Sequence, residues 1–114
     1  MNKISVQSFI DEVVKFREER DWHKVNTPKN VAISLVLEAA EVLEHVKWKS
    51  DEEVAGYIKN HKTEIEEELM DVLFNVFLLM NMLGTDADTM FLKKMEKNKI
   101  KYPVEKVKGK NPHL

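Results

Sequence analysis

Two pairs of carboxylates, Glu38-Ala39-Ala40-Glu41 and Glu68-Leu69-Met70-Asp71, lie inside otherwise apolar runs with no cation placed to neutralise them. A spacing of three residues puts each pair on one helix face. An ordinary solvated acidic face would offer a Lys or Arg four residues away. Here the positions four before and four after Glu38 hold Ser34 and Val42, and those around Glu41 hold Leu37 and His45. Glu68 has Glu64 and Val72 at the same offsets, and Asp71 has Glu67 and Asn75. If the two helices pack together, four acids crowd, and burying unpaired carboxylates is very costly. The pattern therefore calls for an outside positive charge: a hard divalent cation with oxygen ligands, most often Mg²⁺. At 100° per residue Glu38, Glu41, His45 and Trp48 fall within about 80° of arc, and Glu64, Glu68, Asp71 and Asn75 form a similar stripe. Antiparallel packing would face one stripe with the other. A single Glu-x-x-Glu on a helix is ordinarily a solvated face; two, on the two most apolar helices and without cationic partners, put the cation level with a solvated face.

The ligand types narrow the metal. Di-iron and di-manganese bundles use Glu-x-x-His on two helices, but the residues three before His23, His45, His61 and His113 are Arg20, Val42, Ile58 and Lys110. An all-carboxylate set favours Mg²⁺, with Mn²⁺ as a substitute, over iron or zinc. Mg²⁺ keeps several waters and usually binds together with substrate phosphates. A Lys-rich stretch supports that direction, since residues 93–110 hold eight Lys against Glu96 and Glu105. Such a segment can bind phosphates or nucleic acid, or simply complement a helix C-terminus. No P-loop glycine motif is present, which argues against a kinase or ATPase fold. Trp22 and Trp48, the two tryptophans, each end a predicted helix beside charged residues. They are either partly buried core edges or platforms for a nucleobase.

The elements that must position these groups are helical nearly throughout, with no period-2 strand. Val6, Phe9, Ile10, Val13, Val14 and Phe16 mark an amphipathic helix over about 5–21. Thr27 caps a second helix with Pro28 at its first position, running to about Lys47. Ser50 and Glu53 form a capping box opening a third segment. Thr63 with Glu66 suggests a second box, so the chain bends or restarts near Asn60. The fourth helix runs over about 64–83 and stops at Gly84. Thr85 or Asp86 caps a last helix to Lys101, ended by Tyr102-Pro103, and the tail KGKNPHL reads as extended. The expected architecture is an all-α bundle of four or five helices in one domain, residues 1–114.

A chain of 114 residues builds a modest core and favours oligomerisation where apolar surface is left over. The second and fourth helices carry apolar residues around most of their circumference, and helices of that kind need cover on every side. The expected state is therefore a homodimer or homotetramer. The absence of Cys excludes disulfides and cysteine-ligated zinc, and fits a reducing compartment. No apolar run approaches the ~18 residues of a membrane span, and the N-terminus lacks the features of a signal peptide. The expectation is a cytoplasmic protein with no membrane and no stable nucleic acid partner.

At this point the residues resemble a family. Glu38-x-x-Glu41, twenty-six intervening residues and Glu68-x-x-Asp71 resemble the signature of MazG-like all-α nucleoside triphosphate pyrophosphohydrolases. The segments FREERDW (16–22), NTPKNVAISLVLEAAEVLEHVKWK (26–49), EEELMDVLFNVFLL (66–79) and KMEKNKIKYPVEKVKGKN (94–111) are similar to the dCTP pyrophosphatase subgroup. The resemblance implies hydrolysis of a nucleoside triphosphate between the α and β phosphates, to a monophosphate and pyrophosphate, as in nucleotide-pool sanitation. It implies Mg²⁺ held by Glu38, Glu41, Glu68 and Asp71, with Glu41 the candidate to orient or deprotonate the attacking water. It implies that Trp22 and Trp48 line the base pocket, that Lys94, Asn98, Lys101 and Tyr102 contribute to the nucleotide site, and that sites lie near subunit interfaces. Asn26 and Asn75 depart from the dCTP-preferring animal relatives, which carry His and Tyr there, so the metal chemistry is implied and cytosine preference is not. The alternatives are a relative acting on dUTP or phosphoribosyl-ATP, and a non-enzymatic helical interaction protein.

Overall fold

The structure, a computed structural model, describes residues 4–111. It is all-helical over those residues. Helix α1 spans Val6–Glu19, a short 3-10 turn follows at Trp22–Lys24, and α2 spans Pro28–Glu44. Then come α3 (Asp51–Asn60), α4 (Lys62–Leu83), α5 (Ala87–Lys101) and the four-residue α6 (Val104–Val107).

Most boundaries follow local chemistry. Ser5 opens α1 by a reciprocal box with Ser8, and the Thr27 hydroxyl accepts the Asn30 N–H at 3.1 Å ahead of Pro28. Ser50 and Glu53 exchange side chain-to-backbone bonds of 3.2 and 3.3 Å. Gly84 ends α4 in the left-handed region at φ 67°, where its missing Cβ avoids the strain, and the Thr85 N–H closes back onto the Met80 carbonyl at 2.9 Å. Asp86 caps α5 by accepting the Thr89 N–H at 3.1 Å.

Three expectations are corrected. The Thr63 box does not form: α4 begins at Lys62 directly from His61, whose N–H still closes the last turn of α3. Helix α2 ends at Glu44 rather than near Lys47, and residues 45–49 continue as turns. Its open end is satisfied by the Lys49 ammonium, which donates to the His45 carbonyl at 2.8 Å. Beyond Tyr102-Pro103 the chain makes one more helical turn, α6, before the tail; residues 112–114 of the expected extended tail lie outside the described residues.

Helices α2 and α4 make the most extensive contact and run antiparallel, with Ser34 near Asn75 and Leu78, and Glu38 near Asp71. Helix α1 lies antiparallel on α4 through two ring pairs, Phe9 with Phe77 at 6.3 Å and Phe16 with Phe74 at 5.8 Å. Ile10, Val31, Leu78 and Ala87 are the buried apolar residues, with Ile10 and Leu78 the most enclosed. Helix α5 leaves α4 at 103° and rests on α1, so its apolar residues Phe91 and Leu92 stay about two-thirds exposed. The chain consequently has a radius of gyration of 17.3 Å, where a compact chain of this size would have about 13 Å.

Candidate active site

The antiparallel α2–α4 pair brings the two acidic stripes to a cavity of about 440 Å³. That volume lies within the usual range for small-molecule sites. Its walls come from Phe16, Trp22, Asn26, Ser34, Glu38, Asp71, Phe74, Asn75 and Leu78. One wall is aromatic: Phe16 meets Trp22 edge-on at 5.5 Å and Phe74 at 5.8 Å. Glu38 and Asp71 supply the acidic wall.

The electrostatics of the acidic wall are unfavourable without a counter-charge. Burial pushes the Glu38 carboxyl above the usual carboxylate range, and the nearby charges of Glu41, Asp71 and Glu68 push it the same way. The buried Glu38 Oε2 has no hydrogen-bond partner. An orphaned buried oxygen among like charges, in an all-oxygen donor set, fits a hard divalent cation. The side chains are spread rather than gathered: among the described residues no three His, Asp or Glu groups stand close enough to hold an ion as they are. Glu41 and Asp71 are exposed and free to rotate inward, whereas Glu68 is engaged. His45 Nε2 lies 2.5 Å from its Oε2.

The neutral polar residues of the wall are Ser34 and two carboxamides, Asn26 and Asn75. Asn75 is buried and donates its Nδ2 to the Asp71 carbonyl at 3.1 Å. Asn26 presents a buried Nδ2 without a partner, so the wall offers an unsatisfied donor.

Of the residues singled out from sequence, Glu38, Asp71 and Trp22 come together around this cavity, with Glu41 and Glu68 beside it. Trp48 does not. Because α2 stops at Glu44, Trp48 sits in the following turn, 86% exposed, with the Lys47 ammonium 5.6 Å from its ring. Lys94 at the middle of α5, Asn98 and Lys101 in its last turns and Tyr102 just past its end do not line the cavity. Sequence reasoning misses Phe16, Ser34, Phe74 and Leu78 as wall residues, and it marks Asn26 and Asn75 only as departures from relatives. A signal for Phe16 exists in its heptad-like spacing from Phe9, but that spacing reads equally well as core.

Residues 33–112 match the MazG-like family. The chain is similar to dCTP pyrophosphatase 1 of Bos taurus, 33% identical over 97 residues covering 83% of this chain and 57% of the relative. It is similar to the Homo sapiens protein of the same name, 34% identical over 91 residues, 78% of this chain and 54% of the relative. The chain thus spans little more than half the length of these curated relatives. Among solved structures it is similar to a pyrophosphatase from Archaeoglobus fulgidus, with a TM-score of 0.82 and 36% identity over 90% of this chain and 96% of that one.

Proposed function

The chain belongs to the MazG-like family, and from that premise we propose that it hydrolyses a nucleoside triphosphate between the α and β phosphates, releasing a monophosphate and pyrophosphate. The observation that carries this reading is the composition of one cavity: aromatic walls shared with carboxylates that include an orphaned, buried Glu38 oxygen. Trp22 and Phe16 offer ring faces and edges for a base, a contact tolerant of base identity. Glu38, Glu41, Glu68 and Asp71 are the residues that would hold Mg²⁺, or Mn²⁺ in its place. When bound, such an ion offsets the charge of the phosphates and lowers the pKa of a coordinated water. Glu41, exposed beside Glu38, is the group proposed to orient or deprotonate the attacking water.

The names of the curated relatives support a deoxycytidine triphosphate as one substrate to test. Asn26 and Asn75 in the cavity wall would make the base preference a property of this chain's own carboxamides. The proposed working form is a homodimer or homotetramer, and sanitation of the nucleotide pool is the proposed role. In that assembly a neighbouring copy would supply the cations of α5, Lys94 and Lys101, and the exposed Trp48 ring to the phosphates and base in this cavity. The test is a panel of canonical and modified triphosphates, assayed for pyrophosphate with Mg²⁺ and with chelator. Monophosphate and pyrophosphate in equal amounts, only with metal, is the expected result. A helical interaction protein would turn over none of them.

A further inference from the structure

Outside the cavity, one chain of side chains reaches the acidic cluster from a helix that contributes no ligand. His45, just past the end of α2, lies 2.5 Å from Glu68 Oε2 on α4 through its Nε2, and 2.7 Å from the Tyr57 hydroxyl of α3 through its Nδ1. An ionised carboxylate only accepts, so in the neutral ring Nε2 carries the hydrogen and donates it to Glu68. Nδ1 is then the acceptor, and the Tyr57 O–H donates to it. Tyr57 is itself held on both sides: His61 stacks on its ring at 3.8 Å and the Lys49 ammonium stands 4.2 Å from the ring centre. The His45 and Glu68 side chains are 11% and 25% exposed, so water competes little for these bonds.

We propose that His45, oriented by Tyr57, is a positioning residue that holds Glu68 by Oε2 and leaves Oε1 directed to the cation. This rests on the cation site proposed above. With Oε2 accepting from His45, Glu68 would be held in one rotamer before an ion arrives, with Oε1 left to ligate it. A ligand fixed in advance loses less freedom on binding, which is why groups hydrogen-bonded to metal ligands govern affinity although they never touch the metal. The arrangement also gives α3, which touches the rest of the fold through α4, an influence on the site through the Tyr57 hydroxyl.

The test is titration of the full-length, metal-free protein with Mn²⁺ alone, read by the electron-spin signal of free Mn²⁺, alongside melting of each metal-free variant. In His45→Gln the amide nitrogen can replace Nε2 and keep the bond to Glu68. In His45→Asn the shorter side chain reaches the Tyr57 side only. The expected result is Mn²⁺ binding weakened about 10–100-fold in His45→Asn, near wild type in His45→Gln, and weakened several-fold in Tyr57→Phe, with the Asn and Gln variants melting alike without metal. Equal affinity in wild type and His45→Asn overturns the inference and leaves the cation site standing, as does equal weakening in the Asn and Gln variants. Imidazole nitrogen coupling to bound Mn²⁺ also overturns it, by making His45 a ligand. A wild type that binds no Mn²⁺ removes the cation site and the inference together.

Discussion

Phe91 on α5 tests whether the chain works as a lone copy. The protomer exposes 9446 Å², against about 6,500 Å² for a compact chain of 13.4 kDa, a surplus of roughly 3,000 Å² that matches the open placement of α5. Phe91 and Leu92 line an apolar groove with Val6, Leu73 and Phe77. Phe91 is 66% exposed; with a side chain of about 200 Å², covering it removes about 130 Å², or about 3 kcal/mol per copy. A two-fold interface contains each residue twice, so Phe91→Ala should cost about 6 kcal/mol, about four decades in dissociation constant. Light scattering coupled to gel filtration, run from micromolar to nanomolar protein, reads this directly. The wild type should hold a dimer or tetramer mass through dilution, with Phe91→Ala falling to 13.4 kDa at concentrations where the wild type stays associated. Activity should fall with the mass. A monodisperse and active wild type at the monomer mass would refute the reasoning, as would an unchanged dissociation constant in Phe91→Ala.

Glu38→Gln should stabilise the metal-free protein, since the buried carboxyl is held above its usual range by burial and by its acidic neighbours. The sign follows: stability from this group is full below the ordinary carboxylate pKa and is lost as pH rises through the raised folded-state value, so the melting advantage of the metal-free Gln variant over the metal-free wild type should grow as pH rises from that acid range to neutral. Added Mg²⁺ should raise wild-type melting at neutral pH by linkage, and a melt indifferent to both pH and metal counts against it. Trp22→Ala should weaken nucleotide binding by about 1–3 kcal/mol while leaving tripolyphosphate binding unchanged; equal losses for both ligands would make Trp22 a fold residue. Gly84→Ala should cost about 1 kcal/mol in a urea melt, because the space is open but the φ of 67° is not one that Ala adopts without strain.

The features of this fold that are legible in its sequence are local ones. Thr27-Pro28, the Ser50–Glu53 box and Gly84 announce helix ends because each satisfies backbone groups within a few residues, and the structure honours them. The carboxylate faces are legible because helical spacing fixes what shares a face, and antiparallel packing of α2 on α4 needs only two apolar helices of similar length. Interhelix register is not legible. The bond between His45 and Glu68, and the one between His45 and Tyr57, depend on how far each helix slides along its neighbour, and no periodicity encodes that. Trp48 aligns with the acids only if α2 continues past Glu44, but Lys49 satisfies the His45 carbonyl and lets the helix unwind first. The placement of α5 depends on the turn at Gly84 and on what packs against the helix, so its distance from the cavity is equally invisible in the sequence.

Product analysis of a single reaction bears most directly on the proposed chemistry. Wild type and Asp71→Asn, matched for helicity and assembly, are given a nucleoside triphosphate with Mg²⁺ and the products are separated. Monophosphate and pyrophosphate in equal amounts from the wild type, with turnover abolished in Asp71→Asn, is the predicted result. Diphosphate with orthophosphate, undiminished turnover in Asp71→Asn, or no turnover of any triphosphate with Mg²⁺ or Mn²⁺ would contradict it.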